Sequence, residues 1–123
     1  MASKILVIED NDQNLYLVTY ILEKKGYEVL QAHDGREGIE IAGKTSLNLI
    51  LLDIQLPLMD GYSVAKILKK NMGGNDIPII AITSYAMAGD REKAFEAGCS
   101  GYITKPIDPD TFISNIEHYL FST

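Results

Sequence analysis

The sequence predicts an α/β protein built on one parallel sheet of five strands with helices on both faces. Three observations carry that prediction. Short apolar runs alternate with helix-period segments five times along the 123 residues, with no spare sequence between them. The first, third and fourth runs are almost unbroken Ile, Leu and Val, as strands buried on both faces require. Each of these runs ends on a polar or acidic residue, at the end of a parallel strand where such folds keep their chemistry.

The elements follow in order. Ile5-Leu6-Val7-Ile8 lies between Lys4 and Glu9-Asp10 and reads as a central strand. Residues 11–25 read as a helix, with Leu15, Val18 and Leu22 at helical spacing, Leu17 and Ile21 widening the face, and Gly26 as the stop. Residues 27–32 set Tyr27, Val29 and Gln31 against Glu28, Leu30 and Ala32, a mixed polarity that suits a sheet edge. Asp34 is the N-cap of a second helix over 35–44, where Gly38 marks close packing. Residues 48–53 form the third strand. Asp60 caps a third helix over 61–71, with Val64, Ile67 and Leu68 inward and Lys66, Lys69 and Lys70 in solvent; Gly73-Gly74-Asn75 ends it. Residues 77–83 are the fourth strand, and Pro78 near its start can spare its missing donor. A fourth helix over 87–98 carries Met87, Arg91, Ala94 and Phe95 on one stripe. Residues 101–104 are a brief fifth strand. Asp108 then caps, and Pro109 opens, a last helix burying Phe112, Ile113, Ile116 and Leu120.

Strands one, three and four are the most apolar and belong in the centre; two and five belong at the edges. The order 2-1-3-4-5 meets both demands. It gives a three-layer (βα)5 sandwich of the flavodoxin-like kind, with its switch point between strands one and three. The chain is expected to form a single domain over residues 1–123.

Bulk composition narrows the function. A formal charge of -6, from 17 acids and 11 bases, argues against an electrostatic nucleic-acid binder. The lone Cys99 permits no intrachain disulfide and reads as a small buried apolar residue. Neither a signal-peptide pattern nor an apolar run of membrane-spanning length is present, so a cytoplasmic protein without membrane association is expected. His33 and His118 read as solvated surface residues.

The strand ends hold the candidate chemistry. Strand one delivers Glu9 and Asp10, strand three Asp53, strand four Thr83, and strand five Lys105 just after Thr104. With strands one and three adjacent, three carboxylates crowd one pocket, and a hard divalent cation relieves their repulsion; an all-oxygen set that keeps several waters suits Mg2+. The backbone carbonyl of Gln55, two residues past Asp53, is a further candidate ligand. Thr83 and Lys105 supply a hydroxyl and an ammonium for phosphoryl oxygens, leaving Asp53 as the nucleophile that would form an aspartyl phosphate.

At these residues the sequence resembles the response-regulator receiver family, over essentially its whole length. The resemblance rests on Glu9-Asp10, on Asp53 in Leu-Leu-Asp-Ile-Gln-Leu-Pro, and on Met59-Asp60-Gly61, Thr83-Ser84 and Lys105-Pro106. Within the family, Ile-Gln-Leu-Pro and Tyr-Ala-Met-Ala-Gly-Asp look most like single-domain receivers of the DivK type and the receivers of hybrid kinases. The resemblance implies that Asp53 accepts a phosphoryl group from a histidine kinase or phosphotransfer protein. It implies that Glu9, Asp10 and Asp53 hold Mg2+, Glu9 through water, and that Thr83 and Lys105 bind the phosphoryl oxygens beside a cis Lys-Pro bond. Tyr102 matches the aromatic that turns inward with the threonine, Ser84 is small enough to admit phosphate, and Gln55 and Tyr85 occupy the two variable positions that tune phosphate loss. The product is a phosphoacceptor switch, not a turnover enzyme.

Other readings are weaker. A phosphatase of the aspartate-nucleophile class needs a second acid two residues on, where this chain has Gln55. A flavin binder of the same strand order needs a first loop that accepts phosphate, and Glu9-Asp10-Asn11-Asp12 would repel it. Since the sequence ends just past the fifth helix, a stand-alone receiver is expected. It would be a monomer or weak dimer that signals to a downstream protein through helix four, strand five and helix five. The alternative is a receiver taken from a larger regulator or hybrid kinase.

Overall fold

The structure is a computed structural model and describes residues 3–72, 77–84 and 89–121. Ten elements alternate: β1 (Lys4–Ile8), α1 (Asp12–Lys24), β2 (Glu28–Ala32), α2 (Gly35–Lys44), β3 (Leu49–Asp53), α3 (Gly61–Met72), β4 (Ile79–Thr83), α4 (Asp90–Glu96), β5 (Gly101–Thr104) and α5 (Pro109–Leu120). The strands form one parallel sheet in the order β2-β1-β3-β4-β5, as expected. The predicted helix end at Gly73-Gly74-Asn75, the helix start at Met87 and the tuning residue Tyr85 lie outside the described residues.

Strand alternation divides the core in two. Leu6, Ile8, Ile50, Leu52, Ile79 and Ala81 face α2, α3 and α4, whereas Ile5, Val7, Leu49, Leu51, Ile80 and Ile82 face α1 and α5. Every residue of β3 and β4 is buried, and each large aliphatic side chain so placed contributes about 1.5–3 kcal/mol. Pro78 precedes β4 and offers only its carbonyl, which accepts from the Ile50 amide at 2.9 Å.

The caps foreseen at Asp34, Asp60 and Asp108 and the stop at Gly26 are in place. Asp34 accepts from the Glu37 amide and Asp108 from the Asp110 amide; Asn11 serves α1 in the same way through Asn14. Asp60 accepts from both the amide and the hydroxyl of Ser63. Gly26, with φ of 92°, follows the C-cap of α1, and the bonds Gly26 N–Glu23 O and Tyr27 N–Leu22 O close a Schellman motif. A Cβ on Gly38 would run into the side chain of Ile8, the close packing foreseen there.

Some details differ from expectation. Leu17 is 42% exposed, because at about 100° per residue it stands roughly 200° round the helix from Leu15, off the stripe of Leu15, Val18 and Leu22. On α4 the inner positions are Ala94 and Ala97; Phe95 faces outward with the Arg91 guanidinium 5.6 Å from its ring centroid. β2 starts at Glu28, one residue late. Tyr27 still packs on the α1/α5 side and donates its hydroxyl to Glu117 at 2.8 Å. Gln31 is exposed and donates to the Thr19 hydroxyl.

Candidate functional site

Register brings the site together. Ile8 pairs with Leu52, so Glu9 is level with Asp53; Asp53 pairs with Ile82, one residue before Thr83; and Thr83 pairs with Thr104, one residue before Lys105. The ladder continues past the strands, with Glu9 N bonded to Ala32 O, Ile54 N to Ile82 O and Lys105 N to Thr83 O. These bonds fix the backbone under Glu9, Asp53, Thr83 and Lys105, so these four side chains meet through the sheet register.

The result is a buried polar cluster capping a dry sheet. Glu9, Asp53 and Thr83 are 4%, 4% and 1% exposed, whereas Asp10 is open to solvent. One oxygen from each of Glu9, Asp10 and Asp53 lies within 4.8 Å of the others. The Lys105 ammonium donates to Glu9 Oε1 at 2.8 Å and to Asp53 Oδ2 at 3.4 Å. Two backbone amides also serve the acids: Asn11 N donates to Glu9 Oε2 and Gln55 N to Asp53 Oδ1. The Lys105-Pro106 peptide is cis.

The electrostatics follow from burial. Glu9 is pushed up to about 7, first by loss of water and then by the neighbouring Asp53 carboxylate, against the opposing pull of Lys105. Burial disfavours the Lys105 ammonium, but its bonds and attraction to Glu9 and Asp53 prevail, and its pKa is raised. Asp60, at the entrance to α3, is held below the usual carboxylate range chiefly by the Ser63 amide.

The loop from Asp53 to α3 is tightly drawn. Gly61 N donates to Ile54 O, and a Cβ at Gly61 would stand 2.5 Å from Ile54 Cα and 2.8 Å from Asp53 O, so only glycine fits. Leu58 turns the chain at φ 68°, with Met59 N bonded to Pro57 O across it.

Of the residues singled out in the sequence, Glu9, Asp10, Asp53, Gln55, Thr83 and Lys105 assemble here. Ser84 follows Thr83 at the rim and is exposed. Tyr102 lies on β5, packed against the core under α3 and α4. Its hydroxyl is enclosed and has no hydrogen-bond partner among the described residues, and burial raises its pKa. His33 and His118 stay outside the cluster; His33 bonds to Glu37 at 3.0 Å, and His118 meets the Tyr119 ring edge-on. Cys99 is buried, which pushes its thiol up to about 11.

Sequence reasoning missed the reach of the Gln55 side chain. Its Nε2 donates to Thr83 Oγ1 at 2.5 Å, and its Oε1 accepts from Ser84 N at 3.1 Å. The sign was present: Gln55 leaves β3 two residues after Asp53, beside the strand that ends on Thr83.

A parallel sheet in the order 2-1-3-4-5, with three acids, a threonine and a lysine at its strand ends, defines a class of signalling domain. The family model of the response regulator receiver domain matches residues 5–117, and the chain belongs to that family, the receivers of two-component systems. Its sequence is 40% identical over 120 residues to the polar-differentiation response regulator DivK of Brucella abortus (strain 2308) and of Brucella anthropi, covering 98% of each chain. Among solved structures it resembles a CheY-like receiver domain protein from Methanospirillum hungatei JF-1, with TM-score 0.91, 31% identity and coverage of 98% and 94%. It also resembles the receiver domain of the sensor histidine kinase PA1611 from Pseudomonas aeruginosa PAO1, with TM-score 0.91, 32% identity and coverage of 99% and 100%. That domain was solved with a magnesium ion coordinated in its active site cleft. Receiver domains are signalling switches that work with histidine kinases and downstream targets. Among the described residues, no helix is long and apolar enough to cross a membrane.

Proposed function

We propose that this chain, as a single domain over residues 1–123, is a receiver that stores a phosphoryl group on Asp53. The observation that carries the proposal is the convergence of Asp53, Glu9, Asp10, Thr83 and Lys105 on one strand-end pocket. In the reaction one Asp53 carboxylate oxygen attacks the phosphorus of a phosphohistidine on a kinase or phosphotransfer protein. A P–O bond forms, the P–N bond breaks, and the imidazole leaves with the electron pair.

The residues present fit Mg2+, since a carboxylate oxygen from each of three acids lies within a 4.8 Å cluster. Asp10 and Asp53 would hold the ion directly, Glu9 through water and Gln55 through its carbonyl. Bound there, the ion supplies charge neutralisation for the phosphoryl oxygens. The chain's own residues do the remaining work. The Gln55 amide orients the Asp53 carboxylate by its 2.9 Å bond to Oδ1. The Lys105 ammonium exchanges its contact with Asp53 for a phosphoryl oxygen, and the Thr83 hydroxyl donates to another.

Thr83 lies beside β5, where it is coupled to Tyr102 and so to the face made by α4, β5 and α5, through which a downstream protein is bound. Gln55 and Tyr85 tune phosphate loss. We read the chain as a cytoplasmic, stand-alone receiver, monomeric or weakly dimeric, that does not bind nucleic acid itself. The DivK relatives, matched over 98% of their own length, support the stand-alone reading.

Incubation with a small phosphodonor and Mg2+ is expected to add one phosphate by intact mass, and Asp53→Asn to abolish the addition. An unchanged adduct on Asp53→Asn would end the proposal.

A further inference from the structure

The carboxamide of Gln55 is used at both ends. Nε2 donates to Thr83 Oγ1 at 2.5 Å, and Oε1 accepts from the amide of Ser84 at 3.1 Å, while Gln55's own backbone amide is bonded to Asp53 Oδ1. One exposed side chain therefore ties the second residue past the acceptor aspartate to Thr83, the last residue of β4, and to Ser84, the first beyond it. Thr83 is 1% exposed and its backbone is paired in the sheet, so the partners of its hydroxyl decide its orientation.

A phosphoryl group on Asp53 presents oxygens that need donors at this same place. The Ser84 N–H points at Gln55 Oε1 and has one hydrogen, so it cannot serve Gln55 and a phosphoryl oxygen together. We propose that the Gln55 carboxamide is a latch that holds Thr83 and Ser84 in their unphosphorylated arrangement and must let go when Asp53 is phosphorylated. The inference rests on the phosphoacceptor reading and gives Gln55 a positioning role: it sets the balance between resting and activated states. The Ser84 bond lost on activation, and the Thr83 bond with it where the threonine moves, oppose activation, and a side chain unable to make them shifts the population towards the activated state.

The test compares wild type with Gln55→Met, which keeps length and makes neither bond, and Gln55→Asn, which is one methylene too short. Beryllofluoride with Mg2+, a mimic of the phosphoryl group, serves as the probe. Both variants are expected to bind it roughly 5- to 30-fold more tightly than wild type, the ratio that one to two net hydrogen bonds represent. In the metal-free protein, both variants are also expected to show a changed Ser84 amide resonance and faster exchange of that proton. Gln55 is exposed, so neither change threatens the fold. Equal affinities in all three proteins, or an unaltered Ser84 amide, would overturn the latch and leave the phosphoacceptor reading intact. Binding by none of them would overturn both.

Discussion

Replacing Lys105 with methionine removes the ammonium that contacts Glu9 at 2.8 Å and Asp53 at 3.4 Å, while keeping most of the side-chain volume. The lysine side chain is 14% exposed and its partners 6% and 5%, so solvent screening is slight. Each attraction is about 5 kcal/mol at an effective dielectric near 20, and stripping one partner from such a buried cluster costs about 3–5 kcal/mol net. Protonation absorbs part of that loss. Glu9 already titrates near 7, and removal of the cation lifts it further. A carboxyl whose folded pKa lies above its unfolded value of 4.5 favours the folded state most at low pH; that contribution falls away as pH rises through the folded value. The deficit of Lys105→Met is therefore expected to be about 2 kcal/mol at pH 6 and about 4 kcal/mol at pH 8. Saturating Mg2+ is expected to narrow it. Urea unfolding followed by far-UV circular dichroism reads both effects; the chain has no tryptophan to report by fluorescence. A deficit that is the same at pH 6 and pH 8, with and without Mg2+, would refute the charge argument.

Two glycines separate site strain from simple backbone preference. Gly61→Ala places a Cβ against the backbone of Ile54 and Asp53, neither of which can yield cheaply. We expect a loss of about 2–3 kcal/mol in urea unfolding and slower phosphoryl uptake by intact mass. Gly26→Ala meets no atom within 4 Å and suffers only from its φ of 92°, so about 1 kcal/mol is expected, with phosphoryl uptake unchanged.

The fold was legible because three of its strands are unambiguous. Ile5–Ile8, Leu49–Leu52 and the run after Pro78 admit no solvent face, and their centrality forces Glu9 and Asp10 beside Asp53. The errors have a common physical root. Size and apolarity put Leu17 on the inward face of its helix and Phe95 on one stripe with Ala94, yet both stand 42% exposed, while α4 anchors itself through Ala94 and its C-cap Ala97. Alanine gives little hydrophobic signal, so a short helix packed through alanines looks as though its aromatic were the anchor. The Gln55 bridge was hidden for a different reason. A flexible carboxamide has no preferred partner in sequence, and only the β3–β4 register puts Thr83 and Ser84 within its reach.

Charge explains why the pocket is built as it is. Glu9, Asp10 and Asp53 bring three carboxylates to one cluster, and Lys105 answers Glu9 and Asp53 with a single ammonium. The imbalance is two negative charges, held at the ends of central strands where Glu9 and Asp53 have almost no water. Amides from Asn11 and Gln55 soften it without cancelling it, and the pKa of Glu9, lifted to about 7, measures what remains. A proton on Glu9 offsets half the imbalance, and a divalent cation offsets all of it. The two would compete for the same oxygens, so a fall in pH would weaken the hold of the pocket on a cation. Lys105 then has a reason to sit in contact with the acids yet at the end of a flexible stem. It shields them in the resting protein, and under the proposed function the same ammonium would move to a phosphoryl oxygen once the acids are neutralised by other means. The fold thus holds a cluster that is stable enough to form and still two positive charges short of neutrality.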